Sequence, residues 1–361
     1  MILSPKRWIA LFFVILLMLA VVFSLVAGTQ DPFIQYGYDV RKRFWGNSMY
    51  LNPGIAKNYD YDTVIIGSSM AQNFDMEFFR SEMSSKPVKM VMPGISVNEM
   101  TLFYDLAIHA NRAHSLFLVV DLPQFNREYI FGAFPDRLPR YLYNDCFRDD
   151  FKYLWGYDTW FRFIPVNLSI NFLYKLGIKF PSKLEDRLNI DKIGDWSKEY
   201  VFSKETVIEN YQAGHFSTTR ENGDDMENRM KRNIDTFLDH IFATMEGRTI
   251  VFAFPPYSVL YWYDVRKDGL FDAYMAAKAF FIERCQNAGV RVVDAQDMSE
   301  IVELNHYKDN THYDLFIQAK LAEAMITGEM DVGINSFETK RKKLAGLILS
   351  FTMANADWLP K

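Results

Sequence analysis

Five short runs of apolar and β-branched residues set the fold class of this 361-residue chain. They lie at 63–66, 88–92, 116–120, 249–254 and 290–293, and each is followed by Gly, Pro or Asp. Segments with apolar residues at helical spacing lie between and after them, at 96–111, 227–244, 270–288 and 315–330. Continuous apolar strands that alternate with helices are typical of a parallel sheet covered on both faces. The sequence therefore predicts an α/β domain with three layers, α/β/α.

This domain is predicted to span 56–335 and to contain a long insert at about 123–226, after the third strand. The insert is rich in aromatic residues, among them Trp155, Trp160 and Phe163. Loops at the carboxyl ends of parallel strands line the ligand crevice of such folds. Two interpretations of the aromatic residues therefore stay open, a lid over that crevice and a small core of the insert itself. Residues 336–361 are predicted to form a C-terminal helix or tail.

The segment 8–27 contains twenty residues, of which only Ser24 is polar. At 1.5 Å per residue, a helix of this length crosses the roughly 30 Å hydrocarbon layer of a membrane. Because Lys6 and Arg7 precede it, we expect residues 1–7 in the cytoplasm and the rest of the chain, from the connecting segment 28–55 onward, outside. The alternative is a cleaved signal peptide, whose apolar stretch is usually shorter, about 7–15 residues.

Composition excludes several classes of protein. The net charge of −5 gives no sign of a nucleic-acid-binding protein. Two cysteines, Cys146 and Cys285, allow at most one disulfide. No set of His, Cys and carboxylate residues has metal-ligand spacing, and no glycine-rich phosphate-binding motif is present. We therefore predict no metal, no cofactor and no nucleic-acid partner.

Two distant motifs are candidates for catalysis. Gly67, Ser68 and Ser69 follow the first strand, where we expect a helix to begin and its N-terminal N–H groups to favour negative charge. Asp309 and His312 lie three residues apart in a polar loop before the last helix. At that spacing a carboxylate can orient the imidazole, which then takes a proton from a serine. Each motif is weak alone, and their order in the chain makes the pair stronger.

In this order the motifs resemble the SGNH/GDSL hydrolase superfamily. Residues 62–69 resemble its first block, with Ser69 as the nucleophile, and Asp309 and His312 match its last block. Residues 92–94 resemble the second block, which implies that the N–H groups of Ser69 and Gly94 form the oxyanion hole. The resemblance also implies a flavodoxin-like sheet.

The third block of the superfamily has Gly-x-Asn-Asp, whose Asn donates to the oxyanion, and this chain departs from it. Here the corresponding segment is 121–126, in which Gln124 and Asn126 are the candidates for that donor. Loss of one oxyanion donor typically lowers the rate roughly 100- to 1000-fold.

The segment 52–61 and the N-terminal apolar run are similar to those of membrane-anchored bacterial members, the DltD protein of teichoic-acid D-alanylation and the alginate O-acetylation proteins. This resemblance implies an extracytoplasmic serine esterase or O-acyltransferase at the bacterial cell membrane. It would act on acyl esters, with acetyl as the favoured acyl group. It also implies a cell-envelope polysaccharide or a teichoic acid as substrate and a membrane-bound O-acyltransferase as partner.

Two other functions stay open at the level of sequence. One is a catalytically inactive subunit that binds a glycan or an acyltransferase, which the altered third block favours. The other is a secreted, lipase-like esterase, which would require cleavage after the apolar segment.

Overall fold

The computed structural model describes residues 4–127, 132, 134–214 and 223–359. Parts of the predicted insert (128–131, 133 and 215–222) and both chain ends lie outside the described residues. The strands are β1 Thr63–Gly67, β2 Pro87–Val91, β3 Ser115–Val119, β4 Thr249–Phe254 and β5 Arg291–Asp294. The helices are α1 Pro5–Gln30, α2 Ser48–Asn58, α3 Met76–Met83, α4 Val97–His109, α5 Phe147–Trp155, α6 Ile164–Lys175, α7 Ser182–Arg187, α8 Lys204–Gln212, α9 Gly223–Thr244, α10 Val259–Lys267, α11 Phe271–Asn287, α12 Leu315–Thr327 and α13 Ile334–Ala354.

The strands form one parallel sheet in the order β2-β1-β3-β4-β5, so the predicted α/β class is confirmed. Each predicted strand is present, with ends that differ by no more than one residue. Thr63 of β1 is paired with Pro87 on one side and with Ser115 on the other. The strands that follow β1 therefore lie on both sides of it, with β2 on one side and β3, β4 and β5 on the other, so the order of the strands changes direction at β1. This order is that of flavodoxin-like doubly wound sheets, which bind ligands where the direction changes.

Every residue of β1 and β2 is buried, which requires that helices cover both faces of the sheet. Two groups of helices do so: α3 contacts β2 and α12, whereas α4 contacts β1 and α9, which packs against α11. Right-handed crossovers explain the grouping. The connection from β1 to β2 runs in one direction and those from β2 to β5 run in the other, so their helices lie on opposite faces.

The chain divides into two compact units. Unit 2 contains Asp60–Pro135 and Asp191–Lys361, and it holds the whole sheet. Unit 1 contains Met1–Tyr59 and Asp136–Ile190, and it holds the apolar helix α1 together with α5, α6 and α7. The predicted insert is therefore split, because its middle part, 136–190, belongs to the unit of the N-terminal helix, whereas the residues before and after that part belong to the sheet unit.

Some aromatic residues of the insert lie in unit 1 and contribute to its core. Phe163 is buried there, with its ring centroid 4.7 Å from that of Phe33 and 4.9 Å from that of Tyr50. Tyr153, also buried, lies 5.5 Å from Phe33. For these side chains, the interpretation as a core of the unit fits the contacts.

Candidate active site

Ser69 lies two residues beyond β1, at the carboxyl edge of the sheet where the direction of the chain changes. The turn that carries it needs a glycine at 67. A Cβ at Gly67 would lie 2.9 Å from Cβ of Ala71 and 3.0 Å from Cβ of Val119. The small residue therefore lets the chain fold back tightly over β3 and present Ser69 at the edge.

The structure brings Ser69, His312 and Asp309 together. Ser69 Oγ is 2.7 Å from His312 Nε2, although 243 residues separate them in the chain. His312 Nδ1 is 2.8 Å from Asp309 Oδ2 and 3.0 Å from Oδ1. A carboxylate only accepts hydrogen bonds, so the imidazole carries its proton on Nδ1 and turns the lone pair of Nε2 toward the serine hydroxyl. This is the arrangement in which a serine is activated as a nucleophile.

Asp309 is fixed by backbone donors as well as by the imidazole. Its Oδ1 accepts hydrogen bonds from the N–H of His312 at 2.7 Å and of Thr311 at 2.9 Å. Burial raises the pKa of Asp309, but the hydrogen bond and charge of His312 and these two N–H groups outweigh it and lower the pKa to about 2. The side chain is therefore a carboxylate at any pH near neutrality, able to stabilise an imidazolium.

The loop that carries His312 is tied to the turn that carries Ser69. Tyr307 and Tyr313 form an antiparallel bridge that closes the loop. Tyr313 Oη donates to the carbonyl oxygen of Met70 at 3.0 Å, and Gln318 Nε2 donates to the same oxygen at 3.2 Å. Both donors are buried, so water does not compete for these bonds. They hold the base in register with the residue next to the nucleophile.

Trp196, which the sequence did not single out, also contacts both the turn that carries Ser69 and the imidazole of His312. Its Nε1–H donates to the carbonyl oxygen of Ser69 at 3.2 Å, and its own N–H donates to Asn73 Oδ1 at 3.0 Å. Its ring stands nearly perpendicular to that of His312, with centroids 5.3 Å apart. Trp196 belongs to the part of the insert that lies in unit 2. The only signal in the sequence was the general aromatic content of that insert.

A cation borders the site. Lys308 Nζ lies 3.6 Å from the centroid of the Tyr200 ring and 4.6 Å from that of Trp196, and it is 3.9 Å from Asp309 Oδ2. Burial lowers the pKa of Lys308, while the charges of Asp309 and Glu199 act in the opposite direction. Tyr200 itself is half exposed, so part of an aromatic side chain beside the triad is open to solvent.

Two backbone groups are candidates for the oxyanion hole. Among the described residues, the N–H of Ser69 has no hydrogen-bond acceptor. Gly94 lies in the exposed loop after β2, with a φ of +58° that favours glycine and no atom within 4 Å of an added Cβ. The N–H of Met92 donates to the carbonyl oxygen of Gly67 at 3.1 Å and holds the start of this loop beside β1.

The expected helix at Ser69 is absent, and that prediction was wrong. Residues 68–73 form turns, and α3 begins only at Met76, with Asp75 as its N-cap. The side chain of Asp75 accepts the N–H of Glu77, so the first helical turn is organised there. The N-terminus of α3 therefore lies seven residues beyond Ser69 and not at the nucleophile as expected.

Ser68, in contrast, is buried and its hydroxyl is engaged. Its Oγ accepts the N–H of Met70 at 3.1 Å and forms a hydrogen bond with Asp121. Asp121 also accepts a short hydrogen bond from the hydroxyl of Tyr257. Burial raises the pKa of Asp121, against the effect of these two hydrogen bonds and of the charge of His312. Ser68 is thus buried within the fold, whereas Ser69 is only partly buried and contacts His312.

Neither candidate for the third oxyanion donor contacts the triad within the described part of the chain. Asn126 Oδ1 accepts hydrogen bonds from Arg229 at 2.6 and 3.1 Å, and its carbonyl oxygen accepts a third at 2.8 Å. The amide oxygen of Gln124 is buried, and no described residue donates a hydrogen bond to it.

The described residues contain no group of three His, Cys, Asp or Glu side chains that could hold a metal ion. Cys146 is exposed and Cys285 is buried, and both are free thiols.

No protein-family model matches this chain, and a comparison with curated proteins gives no match either. The assignment of a function therefore depends on the geometry of the site and on the motifs that build it.

Proposed function

We propose that this protein is a serine esterase or O-acyltransferase of the SGNH type. Its substrates would be acyl esters, acetyl esters among them, of a cell-envelope polysaccharide or a teichoic acid. One observation carries the proposal, the chain of contacts from Ser69 Oγ to His312 Nε2 at 2.7 Å and from His312 Nδ1 to Asp309 Oδ2 at 2.8 Å. Among the described residues this is an assembled nucleophile, base and orienting carboxylate.

In the first half of the reaction, Ser69 Oγ attacks the carbonyl carbon of the acyl ester while its proton passes to His312 Nε2. The carboxylate of Asp309 stabilises the resulting imidazolium, and the N–H groups of Ser69 and Gly94 donate to the oxyanion. His312 then gives its proton to the departing alkoxide. The alcohol leaves and the acyl group remains on Ser69 as an ester.

In the second half, an acceptor hydroxyl loses its proton to His312 and attacks the acyl ester, and Ser69 recovers its proton. If the acceptor is water, the protein is an esterase. If it is a hydroxyl of a sugar or of a polyol phosphate, the protein is a transferase. The half-exposed ring of Tyr200 and the cation of Lys308 give this edge of the site a surface suited to a sugar or to an anionic acceptor.

The N-terminal helix supports a location at the membrane. α1 is long and apolar enough to cross a bilayer, and no residue of its most apolar stretch is buried. With Lys6 and Arg7 at its start, the positive-inside rule favours a cytoplasmic N-terminus and an extracytoplasmic catalytic unit in a bacterial cell membrane. A membrane-bound O-acyltransferase that supplies acyl groups from the same membrane is then a suitable partner.

The proposal is tested by turnover of p-nitrophenyl acetate with the full chain in detergent, because α1 contacts α5 and α6 of unit 1 and its removal would break these contacts. Ser69→Ala and His312→Ala should each lower kcat by at least about a thousandfold. A fluorophosphonate should add one adduct mass to the wild type and none to Ser69→Ala. Ser81→Ala, on an exposed helix position, is the matched control and should retain full activity.

The sequence register is tested by Ser68→Ala, which should lower activity far less than Ser69→Ala. Equal losses from both would mean that the first block is aligned incorrectly.

A second candidate function is a binding subunit without catalysis. It is favoured by the engagement of Asn126 with Arg229, which leaves the third oxyanion donor of the superfamily without an equivalent in contact with the triad. In that case neither the ester nor the fluorophosphonate would react. A fluorescent envelope glycan would still bind, and with equal affinity to the wild type and Ser69→Ala.

A further inference from the structure

Unit 1 contains a second surface with a specific chemistry, at residues 151–178, which we call the collar. The helices α5 and α6 of the collar contact α1 directly. Trp155 Nε1 donates to Ser24 Oγ of α1 at 3.0 Å. The ring of Phe23 lies 4.4 Å from Trp160 and 6.1 Å from Trp155, centroid to centroid. The collar therefore packs against the apolar helix itself.

The collar exposes an unusual amount of apolar surface. Outside α1, eighteen large apolar side chains of the described residues are exposed, and ten of them lie in these 28 residues. Six are aromatic: Phe151, Trp155, Tyr157, Phe161, Phe172 and Tyr174. Tyr157 and Phe161 are 75% and 74% exposed, and their rings stack on each other with centroids 5.2 Å apart. Such a concentration of exposed apolar side chains is typical of a surface that meets a membrane or a partner.

The contacts with α1 set the depth of the collar. Ser24 lies three residues before the end of the apolar run at Ala27, which corresponds to about 4.5 Å along a helix axis. Trp155 and Trp160 touch Ser24 and Phe23, so they lie at the level of the last turns of that run. If the run spans the hydrocarbon layer, these two indoles lie at its outer border, where Trp and Tyr are enriched in membrane proteins.

The collar cannot move away from this depth without breaking the core of unit 1. The buried Asp31, just after α1, accepts the hydroxyl of Tyr153 at 2.6 Å and the N–H groups of Gln35 and Tyr36 at 2.8 Å. Lys42 Nζ donates to the carbonyl oxygens of Thr29 and Gln30 and so satisfies the open end of the helix.

The helix α6 is fixed to the segment after α1 by two amides. Asn167 Oδ1 accepts the N–H of Trp45 at 2.7 Å, and Asn171 Oδ1 accepts the N–H of Arg43 at 2.8 Å. The guanidinium of Arg43 also lies 4.5 Å from the ring centroid of Tyr174 and donates to its hydroxyl.

We infer that the collar is embedded in the interfacial layer of the same bilayer that α1 crosses, with phospholipid as its partner. The inference rests on the proposed membrane location of α1. The exposed lysines 175 and 179 flank the exposed Leu176 and Ile178 at the C-terminal end of the collar, so cations lie beside apolar side chains, the combination found at membrane interfaces. Apolar contact with acyl chains and attraction to lipid phosphate are the forces that hold such a surface. The collar would fix the orientation of unit 1 on the membrane.

The test places a bimane label at single cysteines of the full chain in lipid nanodiscs. Cys146 is exposed and is replaced by Ser, whereas Cys285 is fully buried and is retained. The labelled variants are Phe161→Cys in the collar, Leu16→Cys in the middle of α1, and Lys183→Cys in the charged helix α7. Circular dichroism and labelling yield confirm that each variant folds.

We expect a nitroxide on the lipid acyl chain to quench the labels at 161 and 16 several-fold more strongly than aqueous iodide does, and the reverse at 183. If the label at 16 responds to lipid while that at 161 responds to iodide, α1 is in the membrane and the collar inference is wrong. If the label at 16 does not respond to lipid, both the membrane location and the collar fail. Shielding of 161 from both quenchers would show that protein covers the collar and would also overturn the inference.

Discussion

The replacement of Asp309 by Asn is the sharpest test of the site, because the structure dictates which way the amide must lie. Oδ1 of Asp309 accepts two backbone N–H groups, from Thr311 at 2.9 Å and from His312 at 2.7 Å. An amide nitrogen cannot accept these bonds. The amide oxygen of Asp309→Asn therefore takes the position of Oδ1, and its NH2 group takes the position of Oδ2.

That NH2 group then faces His312 Nδ1, 2.8 Å away in the wild type. Since it donates, Nδ1 must become an acceptor, and the neutral imidazole carries its proton on Nε2. Nε2–H points at Ser69 Oγ, 2.7 Å away, and can no longer take the serine proton. A triad with this wrong tautomer loses about 10⁴ in kcat, which corresponds to about 5.5 kcal/mol of transition-state stabilisation.

The assay is steady-state turnover of p-nitrophenyl acetate, with a thermal melt of each variant. Asp309→Asn keeps both backbone bonds to Oδ1, so its melting temperature should stay close to that of the wild type. Asp309→Ala removes them, and at about 1 kcal/mol for each bond it should melt lower as well as lose activity. Retention of more than about a tenth of the wild-type kcat by Asp309→Asn would refute the assignment of His312 as the base.

Two further predictions concern the environment of single side chains. Burial raises the pKa of Asp264 to about 6, against the hydrogen bond from Tyr211, so the folded state holds a proton that the unfolded state releases near pH 4. Stability therefore falls as the pH rises from 4 to 6, by about 3 kcal/mol at most, less where solvent screens the group. Asp264→Asn should melt above the wild type at pH 7.5 and level with it at pH 4; an equal difference at both would contradict this. Trp196→Phe keeps the ring but loses the 3.2 Å bond to the carbonyl oxygen of Ser69, so kcat should fall roughly fivefold, the equivalent of about 1 kcal/mol. Trp262→Phe is its matched control, because no described residue accepts a hydrogen bond from that indole; equal kcat in the two variants would exclude a positioning role for Trp196.

The fold could be predicted from the sequence because its signals are local. Apolar runs such as 63–66 and 249–254 have the composition of buried strands, and the helical stripes between them imply parallel connections. The strand order was available only through resemblance, because the side of β1 on which each later strand pairs is set by contacts distant in sequence. The division of the insert between two units is likewise a matter of long-range packing.

The residues of the candidate triad could be predicted from the sequence, but the side chains and turns that hold them in place could not. Asp309 and His312 are three residues apart, so their contact is nearly a property of the local chain. The helix expected at Ser69 was wrong, because a good N-cap at Asp75 moved its start by several residues. Trp196 had no motif to mark it, since its role is a hydrogen bond to a backbone carbonyl, which any indole in that position could make.

The sequence by itself determined the residue types that the chemistry needs, the strands that display them and the apolar helix that gives the chain a membrane-compatible end. These features depend on short-range periodicity and on the chemistry of single side chains. Only the tertiary structure decided that Ser69 and His312 meet across 243 residues, through the bonds of Tyr313 and Gln318 to the carbonyl oxygen of Met70. Only it placed Trp155 against Ser24. Such contacts become favourable only after the sheet and helices have closed the long loops between them, so no local pattern in the sequence encodes them.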